Sequence, residues 1–272
     1  MDDLTIFEIV NLLTIGLSSF NIKEQVPSDI PSHGQYIASK DLKSQEWINK
    51  INDWTNGQKM IINENKTKTM IFNYTEKYQF TTRLSLKGKG VEVIEKTKLL
   101  GTEITNDLKW DCNTATIVKK ANARMELVRR VASFGTSVED LKTIYILFVR
   151  SHLEQSATVW HSSLTQDNRD DLERVQKSAL KIILQEKYIN YKNALNHLNI
   201  ESLEDRREEI CLNFAKKCVK NKKLKSMFPL NEKNHPMELR ENETYKVQFA
   251  HNERLKKASI VYMQRLLNQN EN

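Results

Sequence analysis

From Trp110 to Lys220 the apolar residues recur every three to four positions, a period that builds helices and cannot line a sheet. In "TATIVKKANARMELVRRVASF" the residues Ile117, Ala121, Met125, Val128 and Ala132 fall on one stripe, and Gly135 follows as a stop. "SVEDLKTIYILFVRSHLEQSATVW" reads as the next helix, with Ser137 as N-cap and Asp140 three residues on. Its interior "IYILFV" is apolar all round, which marks it as the most buried helix. "RDDLERVQKSALKIIL" is amphipathic through Leu172, Val175, Ala179 and Ile182, and "SLEDRREEICLNFAKKCVK" starts at a Ser202/Asp205 cap. The segment beyond Pro229 is polar and is expected to be loosely ordered up to a short helix near residues 254–267.

Before Trp110 the pattern is mixed. "LTIFEIVNLL" (4–13) reads as a strand running into a loop with Pro27, Pro31 and Gly34. Residues 39–56 carry Leu42, Trp47, Ile48, Ile51 and Trp54 near helical spacing, with Gly57 as a stop. "KMIINENKTKTMIFNY" reads as strand, polar turn, strand. A hairpin turning at Lys87–Gly90 follows, then a short strand about Leu99–Ile104. The fold class is therefore α+β, with a mixed domain over 1–110, a helical module over 111–225 and an extension over 226–272.

Several functions are excluded by what is scarce. Seven glycines in 272 residues fall well below the usual share of roughly 7 %. Nucleotide folds need glycine where backbone meets phosphate, and the one close pair, Gly88 and Gly90, reads as a hairpin turn. Cys112, Cys211 and Cys218 form no CxxC, and their odd number fits a reducing compartment without a disulfide framework. Cys211 and Cys218, seven apart on one helix, read as packing residues. Histidines 33, 152, 161, 197, 235 and 251 make no HxxxH or HxD pair, so ligation of a metal by histidine is not expected. His152 reads as a hydrogen-bonded core residue, and Trp110 and Trp160 as core anchors. No run approaches the roughly 18 apolar residues that span a bilayer. With no signal segment visible either, the chain is expected inside the cell, in cytoplasm or nucleus, without a membrane partner.

The formal net charge is +7, and the surplus gathers in "KKANARMELVRR" (119–130) and "KKCVKNKKLK" (216–225). Such faces suit nucleic-acid phosphates, an anionic membrane surface, or nothing beyond solvation. On the first segment Lys120 and Arg124 lie four apart, while Lys119, Arg129 and Arg130 take the flanks of the apolar stripe.

Two adjacent carboxylates, Asp2 and Asp3, open the chain; hard oxygen ligands held close are what two-metal nucleotidyl transfer needs. After them come a strand, a helix ending "WTNGQKMIINENKTKTMIF", a hairpin leading to "KLLGTEITNDLKW", and the helices already quoted. This ordered series resembles the C-terminal half of the reverse transcriptases of non-LTR (LINE-type) retrotransposons and covers nearly the whole chain. The resemblance implies a partial palm with an antiparallel sheet over 1–110 and a thumb-like helical module after it. It places Asp2 and Asp3 on the acid pair of the family's aromatic-x-Asp-Asp box. Asn63, Lys66 and Thr67 fall on the "N…KT" landmark, and Leu100 and Gly101 on the primer-grip-like hairpin. It implies Mg²⁺ as cofactor and RNA or an RNA/DNA duplex as partner.

The box's aromatic residue, the third metal-binding acid and the fingers have no counterpart here. Asp29, Asp53 and Asp107 give no sign of converging on the pair. The chain is therefore expected to be a truncated, catalytically silent relative that binds no Mg²⁺ and no small-molecule cofactor by itself. The alternative is a basic helical nucleic-acid-binding module without activity. The stretch from "LGTEITNDLKW" to "FVRSHLE" is also similar to a segment assigned to the N-terminal region of AlkB-homologue-8-type tRNA-modifying proteins. Their HxD…H iron triad and Gly-rich methyl-donor loop have no counterpart in this sequence.

Overall fold

The computed structural model describes residues 35–37, 43–72, 79–81, 84–231, 244–250 and 252–271. The expected strand at 4–13, the loop with Pro27, Pro31 and Gly34, and Asp2 and Asp3 lie outside them. The chain is α+β and divides into two compact units, Met1–Leu108 and Lys109–Asn272.

In the first unit α1 (Lys43–Gly57) is followed by short strands. β1 (Gln35–Ile37) pairs in parallel with β3 (Gln79–Thr81), and β2 (Lys68–Thr69) in parallel with β6 (Glu92–Val93). β4 (Ser85–Leu86) and β5 (Lys89–Gly90) form one antiparallel hairpin, β7 (Lys96–Leu99) and β8 (Thr102–Thr105) another. The expected antiparallel sheet is thus, among the described residues, four separate two-stranded ladders, two of them parallel. The expected strand at Met60–Ile62 is absent; Asn63 instead caps a 3₁₀ turn, Glu64–Lys66, its Oδ1 accepting from the backbone N–H of Asn65 and Lys66. The residues "LG" are a turn and not part of a strand: Leu100 and Gly101 adopt φ of 47° and 89° and close the β7–β8 hairpin. Two residues with positive φ match the twist of the strands they join. The Gln45 carboxamide anchors α1 to β4, donating to Ser85 O and accepting from Ser85 N at 2.9 Å each. Of the expected apolar stripe of α1, Trp47 and Trp54 are exposed, Ile48 and Ile51 are half-buried, and Leu42 lies outside the described residues.

In the second unit α2 (Asp111–Ser133) and α6 (Gln166–Leu184) pack along each other. Ile117, Ala121, Met125 and Val128 are buried from α2, and Leu172, Val175 and Ala179 from α6, where Ile183 replaces the expected Ile182. Between them the expected single long helix is broken. α3 (Val138–Ile144) runs into a π-helical segment, Tyr145–Arg150, then α4 (Ser151–Glu154). Ser156, at φ 56°, turns the chain into α5 (Ala157–Trp160). The wider π turn leaves Tyr145 and Val149 in the core but turns Leu147 and Phe148 outward, 60 % and 47 % exposed, so "IYILFV" is not the most buried helix. α7 (Tyr191–Leu198) and α8 (Leu203–Lys220) follow. α9 (Glu253–Lys256) and α10 (Ser259–Glu271) come last. The helix expected in a loosely ordered extension belongs to the core: Met263, Leu266 and Leu267 of α10 join Cys211, Ala215 and Cys218 of α8 around Phe228 and Tyr245.

A polar chain threads this core. Tyr145 donates from Oη to Gln176 Oε1 at 2.5 Å, and Gln176 Nε2 donates to Tyr191 Oη and to Glu201 O. Tyr191 in turn donates to the Glu173 carboxylate, which also accepts from Leu203 N. Burial pushes both phenols up, so they remain donors.

Candidate nucleic-acid interface

The α2 helix sorts its side chains by chemistry. One stripe enters the core, and every cation singled out in the sequence lies off it. Lys119, Arg124, Arg129 and Arg130 are exposed, and Lys120 is half-buried at the margin. The structure divides the five. Glu126 accepts from Arg129 Nη1 at 3.5 Å and from Arg130 Nε at 3.2 Å, so one carboxylate offsets part of that pair's charge. Lys119, Lys120 and Arg124 have no ion pair among the described residues.

α4 packs against α2, and Lys120 and Arg124, one turn apart on α2, act on a third nitrogen group, His152 of α4. His152 is half-buried. Partial burial, then Arg124 and then Lys120, hold its imidazole below the ordinary histidine value. It is therefore a neutral ring against two cations and not the hydrogen-bonded core histidine that the sequence suggests. Phe148, one turn before His152, is exposed on the same stretch. A phosphate oxygen offered to this corner would meet one lysine, one arginine and a neutral imidazole ring.

The remaining candidates do not assemble with it. Asp2 and Asp3 lie outside the described residues. Asp53 stands on α1 and Asp107 accepts from Thr105 Oγ1 at 2.7 Å. Among the described residues no group of three or more His, Cys, Asp or Glu is placed to hold a metal, and Mg²⁺ enters no step here.

One polar centre escapes sequence reasoning. Arg207 of α8 is fully buried; its Nε donates to His161 Nδ1 at 3.3 Å and its guanidinium lies 5.9 Å from the Trp160 ring centroid. Its Nη1 and Nη2 have no hydrogen-bond partner among the described residues. Burial, then Arg207 and Arg169, lowers the His161 value to about 3. The signal was available: Arg207 stands four residues from both Leu203 and Cys211, on the core stripe of α8. Fully buried between α8 and the turn after α5, the centre is a structural knot of the core.

Among the described residues no helix is long and apolar enough to cross a membrane. No family model, no curated protein and no solved structure matches this chain.

Proposed function

We propose that this chain is a reverse-transcriptase-like protein whose helical unit holds a nucleic-acid duplex by its phosphates, as a polymerase thumb does. The observation that carries the proposal is that Lys119, Lys120 and Arg124 have no ion pair among the described residues, on a helix whose apolar stripe is locked into the core. Cations on a rigid, well-packed helix keep their spacing when a ligand arrives, so less order is lost on binding. The order of segments described above, and the formal charge of +7, favour the same partner. Contacts of this type read backbone and not bases, so the binding is independent of sequence and accepts RNA and hybrid duplexes alike.

The test is a salt titration of hybrid-duplex binding, followed by fluorescence anisotropy, for the native chain and for Lys120→Ala with Arg124→Ala. Removing two phosphate contacts lowers the slope of log K against log[salt] by about two. An unchanged slope would refute the proposal, as would affinity no greater than that of an unrelated protein of equal net charge. The proposal concerns binding alone. Primer extension that disappears with Asp2→Ala and Asp3→Ala would add a polymerase activity to it.

A further inference from the structure

The second basic segment lies elsewhere in the helical unit and follows a different logic. Residues 210–231 hold six lysines and no acidic residue. Lys216, Lys217 and Lys220 lie on α8, and with Asn213 they bound one shallow recess on the side of the helix opposite its buried Cys211, Ala215 and Cys218. Lys222, Lys223 and Lys225 continue from the helix end, all exposed. None of the six has an ion pair among the described residues.

Several other helical cations of this protein, unlike these and the α2 trio, have an acid beside them. Arg129 and Arg130 share Glu126, Arg174 has Asp171, Arg206 has Glu209, and Lys256 has Glu253, each within one turn. On α8 the pairing stops after Glu209, and Lys216 and Lys220 stand as a like-charged pair four residues apart, which destabilises a helix. The helix dipole explains cations in the last turn, Lys217 and Lys220. It leaves Lys216 and the three lysines past the helix end unexplained.

We infer that the outer face of α8 is a second polyanion-binding surface, for the phosphodiester backbone of a nucleic acid, separate from the α2 cations. Lysine ammonium groups act as point charges without the planar fork of arginine, which suits phosphate contact without base readout. A membrane surface fits less well. A helix lying in lipid headgroups interleaves apolar side chains with its lysines, whereas the recess is bounded by Asn213 and lysines alone. Phe214, 42 % exposed on the flank, offers one ring and not an apolar face. The inference shares its ligand class with the proposed function but rests on a different helix, so either can fail alone.

The experiment uses the full chain with Lys216→Gln, Lys217→Gln and Lys220→Gln combined, and a second variant with arginine at the same three positions. Hybrid-duplex binding is titrated against salt, and binding to vesicles of phosphatidylserine and phosphatidylcholine is measured alongside. In the glutamine variant the log–log slope falls by about three, while the arginine variant keeps the native slope. Circular dichroism stays native, because all three side chains point away from the core. A native slope in the glutamine variant overturns the inference, as does loss of vesicle binding with duplex binding intact. If the glutamine variant loses slope and Lys120→Ala with Arg124→Ala does not, the α8 surface stands and the α2 proposal falls.

Discussion

The contact between Arg207 and His161 fixes a protonation state. Because Nε of the guanidinium donates to Nδ1, that ring nitrogen must keep its lone pair, and the buried imidazole is neutral with its proton on Nε2. Its folded value of about 3 lies below the ordinary 6.5, so protons favour the unfolded chain. The contribution of this group is complete above about pH 6.5 and is lost as pH falls towards 3, by about 1.4 kcal/mol per pH unit. Urea unfolding at several pH values should therefore show His161→Gln losing less stability between pH 6.5 and 5 than the native chain; parallel curves would contradict the assignment. Arg207 itself is a buried cation with two unpartnered nitrogens, which costs more than it returns. Arg207→Met, similar in volume, should leave the melting temperature unchanged or raise it, and a loss beyond about 2 kcal/mol would show that the charge is compensated. A cation on a core stripe was legible in the sequence. Its partner was not, because His161 comes from a turn 46 residues away in the chain.

Helix ends were the most legible elements, since a cap is a local event. Ser137 accepts from Asp140 N and donates to its carboxylate, and Ser202 does the same with Asp205. Each serine replaced by alanine should lower stability by about 1 kcal/mol, and the two losses should add. The π-helical segment, which packs against α2, was not legible, because a wider turn leaves no mark in composition. It makes two neighbouring leucines unequal. Leu147→Ala should cost under about 0.5 kcal/mol, as exposed sites do. Leu153→Ala, fully buried one turn past the segment, should cost about 2 to 5 kcal/mol, and equal costs would mean the segment is α-helical in solution. In the first unit the turn residue Leu100 is 90 % exposed in a left-handed conformation. Leu100→Asn should stabilise that hairpin by a few tenths of a kcal/mol up to about 1, read from its amide exchange.

At the scale of the whole chain the two units differ in what holds them. The described ladders of the first unit are two to four residues long, and such pairs are marginal by themselves. The second unit buries continuous stripes from α2, α6, α8 and α10. Hydrogen exchange should accordingly be slowest in those four helices, with first protease cuts before residue 108; equal protection of both units would contradict this. The period of the apolar residues changes at Trp110, and the chain divides into its two compact units after Leu108. The α2 cations were readable as well, because charge and stripe sit in one segment, whereas which of them are free depended on where Glu126 points. The place of α10 has a consequence for synthesis on the ribosome. Cys211, Ala215 and Cys218 are translated well before the Met263, Leu266 and Leu267 that cover them. While the intervening residues are being added, the growing polypeptide presents a partly uncovered greasy strip beside a run of lysines, which is the kind of segment a chaperone holds until α10 emerges.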